Sequence, residues 1–309
     1  MLASLFSKTR PFNYIITGIF FCIAFFLYQL ALGNVFSSLS GMGQNALVFL
    51  VLVASFLLVN FISLRNALTK KDNYAVLLYL LLVLLFPAIF VKTKLIVANL
   101  FILLALRRLV SLKTLNAPKE KIFDASFWIF LATLFHFWSI IFILLVFISI
   151  VLHTGKDYKN WLIPFVSCFC VWVLYVFFSL FFSGKYELNF QEMMQLDFNF
   201  SGVKTTMERM SLGVYVSISF LFFVSQIIDY QNKPLNMQTS FKQIYFAFLL
   251  SIVVYVLSAH KTNDLLVFSF APLAILGANM FEKMERYVLK EISLYLLVLI
   301  SVVIFVLQL

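Results

Sequence analysis

The residues in this chain best equipped for chemistry are His136, with Thr133 and Ser139 three positions to either side, and the run from Ser258 to Asp264, which contains His260, Lys261, Thr262 and Asn263. On a continuous helix a spacing of three puts Thr133, His136 and Ser139 on one stripe, where an imidazole can carry a proton or bind a phosphate. A structural reading competes, because a histidine among Phe135, Phe137 and Trp138 is more often an interior residue whose ring a neighbour satisfies. The second run is a very short turn between two apolar stretches. There His260, Lys261 and the free amides of the next helix start can hold an anion. Equally, Thr262 or Asn263 can cap that helix with Asp264 in its first turn, and Asp124 can stabilise the start of its own helix in the same way.

Membrane spans must position these groups. The chain is 63% hydrophobic and 12% charged with 39 phenylalanines, and its mean hydropathy is +1.02. A water-soluble domain of 309 residues would carry far more charge. A bilayer core needs roughly 20 apolar residues per helix. Ten apolar blocks stand out, near 13–32, 46–64, 74–91, 95–106, 122–152, 161–182, 212–228, 241–258, 265–280 and 292–309; two depart from that length, 95–106 being short and 122–152 being either one long tilted helix or a tight pair of half-helices. The first of the ten has basic flanks like a signal peptide, but its apolar stretch is long and no small-x-small site follows, so it reads as a span. The expectation is one all-α integral membrane domain over 1–309, a polytopic bundle of about 10–11 spans with short loops.

The block 122–152 decides the sidedness of everything after it. If it crosses once, 14 of the 23 lysines and arginines fall in cytoplasmic segments; if it turns back near Phe135 to Ser139, 17 do and six lie outside. The positive-inside rule favours the hairpin, although no Gly or Pro marks the turn, and the amino terminus is cytoplasmic in both cases. The outward cations are then Lys92, Lys94, Lys185, Lys204, Arg209 and Lys261. Such a set can hold a diphosphate headgroup.

Other classes are poorly served. A net charge of +10 scattered among apolar spans suits anionic headgroups rather than nucleic acid. Cys22, Cys168 and Cys170 lie in apolar blocks without metal spacing, and the three histidines cannot build a histidine-rich di-iron site, so neither a metal nor a cofactor is expected. Phosphate loops, zincin motifs and nucleophile elbows are absent. The polar interval 183–210 mixes acids with Phe190, Met193, Phe198 and Phe200, as an interfacial lid or an ordinary packed loop would, and Asn199 opens a glycosylation sequon.

The opening MLASLFSKTRPFNYIITGIFF, the block RRLVSLKTLNAPKEKIFDASFWIFLATLFHFWSIIF and the late KTNDLLVFSFAPLAILGAN together resemble an uncharacterised family of bacterial multi-pass membrane proteins. More distantly, ATLFHFWSIIFILLVF is similar to a helix of exopolysaccharide and O-antigen polymerases. That likeness implies an enzyme acting on polyprenyl-diphosphate-linked glycans at the outer face, with Arg209 and His260 gripping the diphosphate, Lys261 in support and His136 a further catalytic candidate. The long arginine-rich outer loop of such enzymes is missing. Three expectations follow: a scaffold or assembly component of an envelope process in the bacterial inner membrane, the glycan enzyme, or a transporter of lipid or small molecules. Their partners are membrane lipids, a lipid-linked glycan or other envelope proteins.

Overall fold

The computed structural model describes residues 2–7, 11–33, 39–70, 72–155, 157–183, 205–259 and 261–309. Among them the secondary structure is helical throughout: α1 (Leu2–Phe6), α2 (Pro11–Ala31), α3 (Leu39–Arg65), α4 (Tyr74–Leu84), α5 (Thr93–Val110), α6 (Pro118–Phe135), α7 (Ile143–His153), α8 (Lys159–Ser183), α9 (Thr206–Ile228), α10 (Leu235–Leu257), α11 (Val267–Lys283) and α12 (Tyr287–Leu307). Eight stretches, built on α2, α3, α5, α8, α9, α10, α11 and α12, are long and apolar enough to cross a membrane. Three further segments also run from one end of the bundle to the other. One is α4 continued by a 3-10 turn over Pro87–Val91, where the proline ring ends the regular helix. The others are α6, which starts with Pro118 in its first turn, and the 3-10 turn Phe137–Phe142 running into α7.

That last pair resolves the long apolar block. Helix α6 stops at Phe135, His136 is extended with φ −144° and ψ 106°, and the chain returns. Lys119 at the start of α6 forms an ion pair of 3.6 Å with Asp157, just after α7. The block is therefore a hairpin, and a ring-crowded Phe-His-Phe-Trp corner makes the turn without Gly or Pro. The continuous polar stripe expected of Thr133, His136 and Ser139 does not form, because the helix that would carry it is broken. Thr133 instead donates to Phe130 O at 2.6 Å. Asp124 also departs from expectation: it lies beyond the first turn of α6 and pairs with Arg108 of α5 at 2.8 Å.

The spans alternate, and their cations sort by end. Among the described residues, Lys92, Lys94, Arg209 and Lys261 lie at the end that holds the α4–α5, α6–α7 and α10–α11 connections. The remaining described lysines and arginines lie at or near the opposite, lysine-rich end.

Helices α4 and α11 form the centre. All of α4 is buried, as is nearly all of α11. They run antiparallel, with Tyr74 against Phe281 at 6.2 Å at one end and Phe86 stacked on Phe270 at 5.8 Å at the other. Close approach depends on small residues of α11, as between membrane helices generally. A Cβ at Gly277 would run into the Phe222 ring of α9 and come within 2.8 Å of Leu78 Cδ1. At the periphery α8 and α12 turn large apolar side chains outward, including Phe165, Phe169, Phe177, Leu296 and Leu299. Lipid tails are the natural solvent for such faces.

Candidate functional site

The candidates gather at the cation-poor end, because the ends of α6 and α10, the Pro87–Val91 turn and the starts of α9 and α11 all meet there. His136 Nε2 lies 3.1 Å from Ser258 Oγ. That hydroxyl already donates to Val254 O at 2.7 Å, so the imidazole donates from Nε2 and its Nδ1 is the acceptor. The ring packs on Phe268 with centroids 5.6 Å apart. Lys261 is 1% exposed and Asp264 5% exposed. Asp264 is hydrogen-bonded by Thr262, and Lys92 is near enough to act on it electrostatically.

Helix α9 opens with a capping box: Thr205 Oγ1 accepts from Glu208 N and Glu208 Oε2 accepts from Thr205 N, each at 3.1 Å. Asn263 then donates through Nδ2 to Glu208 O at 2.8 Å, fastening the turn before α11 to the start of α9 beside Arg209. Neither Thr262 nor Asn263 makes the side-chain cap that the sequence allows. His260 lies outside the described residues, as do Lys185, Lys204, Asn199 and most of the interval 183–210. Lys94 sits in the first turn of α5 at this same end. Chemically, fixed cations and one imidazole can stabilise an anion without a metal. Among the described residues no group of three His, Cys, Asp or Glu could hold a metal ion.

The lysine-rich end holds a second constellation, which reading the sequence does not single out. A cavity of about 810 Å³ opens between the loop after α3, the α9–α10 connection and the end of α11. Lys233 lines it, yet is only 6% exposed. Its Nζ donates to Gln226 Oε1 at 2.7 Å and lies 3.0 Å from the centre of the Phe241 ring. Burial pushes this amine down to about 7, with Lys283 acting in the same direction and Asp229 and Glu282 opposing. Glu282 accepts from the backbone N–H of Lys70 at 2.9 Å. It is also hydrogen-bonded to Asp72, whose carboxyl is raised to about 9, first by burial and then by Glu282. Asp72 therefore keeps its proton at neutral pH. Lys283 is ion-paired with Asp229.

Only the Asn-Lys-Pro run at 232–234 hints at this site in the sequence, since it puts a cation beside a helix-starting proline. The cavity itself needs three segments far apart in the chain.

Fold and polar ends together define a multi-pass α-helical membrane protein. The chain belongs to DUF6427, a family of unknown function, whose family model matches residues 1–309. No curated protein and no solved structure matches the chain.

Proposed function

We propose that the protein is a scaffold or assembly component of an envelope process in a bacterial cytoplasmic membrane, with its lysine-rich end inside and with lipids and other envelope proteins as its partners. The observation that carries this reading is the way the cation-poor end spends its polar groups. His136 is bonded to Ser258, Asn263 to Glu208 O, and Lys261 and Asp264 are buried. These contacts join α6 to α10 and α9 to α11, which is the work of a clamp. The filled centre of α4 and α11 supports it further, because a rigid bundle with broad apolar flanks presents fixed surfaces to neighbouring proteins.

A second reading rests on a different observation, the meeting of His136, Lys92, Lys94, Arg209 and Lys261 at one end. On that reading they grip a polyprenyl diphosphate at the outer face, and His136 moves a proton at the scissile bond. The two readings part on Arg209→Ala and Lys94→Ala, both at exposed side chains, introduced into the chromosomal copy. The scaffold reading expects both variants to keep the envelope phenotype of the wild type while deletion of the gene does not. A defect equal to deletion, with the variant protein still present in the membrane, would favour the glycan enzyme.

A further inference from the structure

We infer that the cavity at the lysine-rich end binds a phosphate-bearing anion through Lys233 and Lys70, in the form of an anionic phospholipid whose chains lie on the apolar wall of Met237 and Phe241. This inference does not rest on the scaffold reading, since it uses the opposite end of the bundle.

Size comes first. At about 810 Å³ the cavity falls within the range of small-molecule sites, and it has room for a headgroup and the upper part of the chains. Shape comes next. Its mouth lies among loop residues at the end of the bundle, and Met237 and Phe241, one turn apart near the start of α10, form an apolar wall beside the Lys233 ammonium. An ammonium set against apolar side chains matches the boundary between headgroup and acyl chain in a lipid leaflet.

Charge selects the headgroup. Among the described residues, four ionisable groups line the cavity: Lys70, Lys233, Lys283 and Glu282. Lys283 is neutralised by Asp229. Glu282 is held by the Lys70 amide and by a protonated Asp72, so this carboxyl pair carries one negative charge rather than two. Lys70 has an exposed side chain. Lys233 is a cation kept out of water with one hydrogen bond and one aromatic face for company. A lysine ammonium has three N–H donors, so this one can still donate to an oxygen placed in the cavity. Burying an ammonium beside empty space is costly, and an anion there relieves that cost. Burial also leaves the amine near the neutral range while the cavity is empty, and a bound phosphate would draw it back to the charged form.

The same chemistry can come from a free phosphorylated molecule, so the test needs both sources. The full-length protein, stripped of lipid in a neutral maltoside detergent, is titrated with phosphatidylglycerol, phosphatidylcholine, glycerol 3-phosphate and inorganic phosphate, and bound species are counted by native mass spectrometry. One retained phosphatidylglycerol is expected, with phosphatidylcholine at least tenfold weaker. Lys233→Gln, which removes the charge, and Lys70→Gln, at an exposed side chain that folding does not need, should each lower phosphatidylglycerol occupancy, the first by tenfold or more. Lys159→Gln, elsewhere on the same end, should leave it unchanged. If glycerol 3-phosphate binds as tightly as the lipid and displaces it, the lipid source is overturned and the phosphate site stands. Equal phosphatidylglycerol occupancy in the wild type and both cavity variants overturns the site.

Discussion

At one end of the bundle His136, Ser258, Asn263 and Glu208 spend their hydrogen bonds on neighbouring elements, whereas at the other Lys233, Lys70 and Glu282 line open space. Both ends bury charge. They differ in what the charge faces. Lys261 and Asp264 are enclosed where two helix starts meet, and their burial is part of the joint. Lys233 is nearly as enclosed, but a cavity lies beside it and its amine is displaced far from its ordinary value. A buried polar group satisfied by the fold argues for structure, while a buried cation next to open volume argues for a ligand. On the scaffold reading proposed above, the end that looks richer in catalytic residue types is the more structural of the two.

Four tests bear on this contrast. The largest effect is expected at the centre joining the two ends. Gly277→Val drives a branched side chain into Phe222 and Leu78, and overpacking of this kind costs about 1–3 kcal/mol or more. Loss of the monodisperse peak in detergent gel filtration is the readout, and a normal peak would show that α4, α9 and α11 are not packed as described. Next, Asn263→Ala removes the bond to Glu208 O, which keeps the bond from Ser211 Oγ, so the cost is that of one hydrogen bond, about 0.5–1.5 kcal/mol. Thermal denaturation in detergent should fall by several degrees, whereas Lys70→Gln at the other end should change it little.

The third test uses pH. Lys233 ordinarily titrates near 10.5 and in the fold near about 7, so between those values the unfolded chain holds the extra proton. Its contribution to stability is full above 10.5 and is lost as pH falls toward about 7. Asp72 runs the other way. Its value rises from 3.8 to about 9, so its contribution is full below 3.8 and is lost as pH climbs toward about 9. Lys233→Gln should therefore gain on the wild type as pH falls from 10 to 7, and Asp72→Asn should gain as pH rises from 5 to 9, each by at most about 1.4 kcal/mol per pH unit. Parallel curves for wild type and variants would remove both groups from the argument. The smallest effect belongs to the cation-poor end. Thr205→Ala breaks the capping box of α9 at a cost of about 1 kcal/mol, read as a small drop in melting temperature.

Much of this architecture is legible in the residues. Apolar blocks of membrane length give the spans, and the distribution of lysine and arginine favours the hairpin over a single crossing. Both signals are local or additive. What is not legible depends on distant partners. The stripe of Thr133, His136 and Ser139 assumes an unbroken helix, and nothing in an all-aromatic corner announces that the helix ends at Phe135. Asn263 looks like a helix cap, yet its side chain reaches Glu208, 55 residues earlier. Lys233, Lys70 and Glu282 read as ordinary loop charges until folding brings three segments around one cavity. Asp72 reads as one acid beside Lys70 and Lys71, and only its contact with Glu282 explains why it keeps a proton.

All of this rests on which residues share an end, and the return of the chain at His136 decides that. The most direct measurement puts single cysteines at Asn116, Tyr158 and Thr262 in a background where Cys22, Cys168 and Cys170 are serine, and labels intact and permeabilised cells with an impermeant maleimide. Asn116 and Tyr158 should behave alike and Thr262 oppositely. Labelling of Tyr158 apart from Asn116, with Asn116 and Thr262 behaving alike, would mean that 122–152 crosses once and would contradict the account.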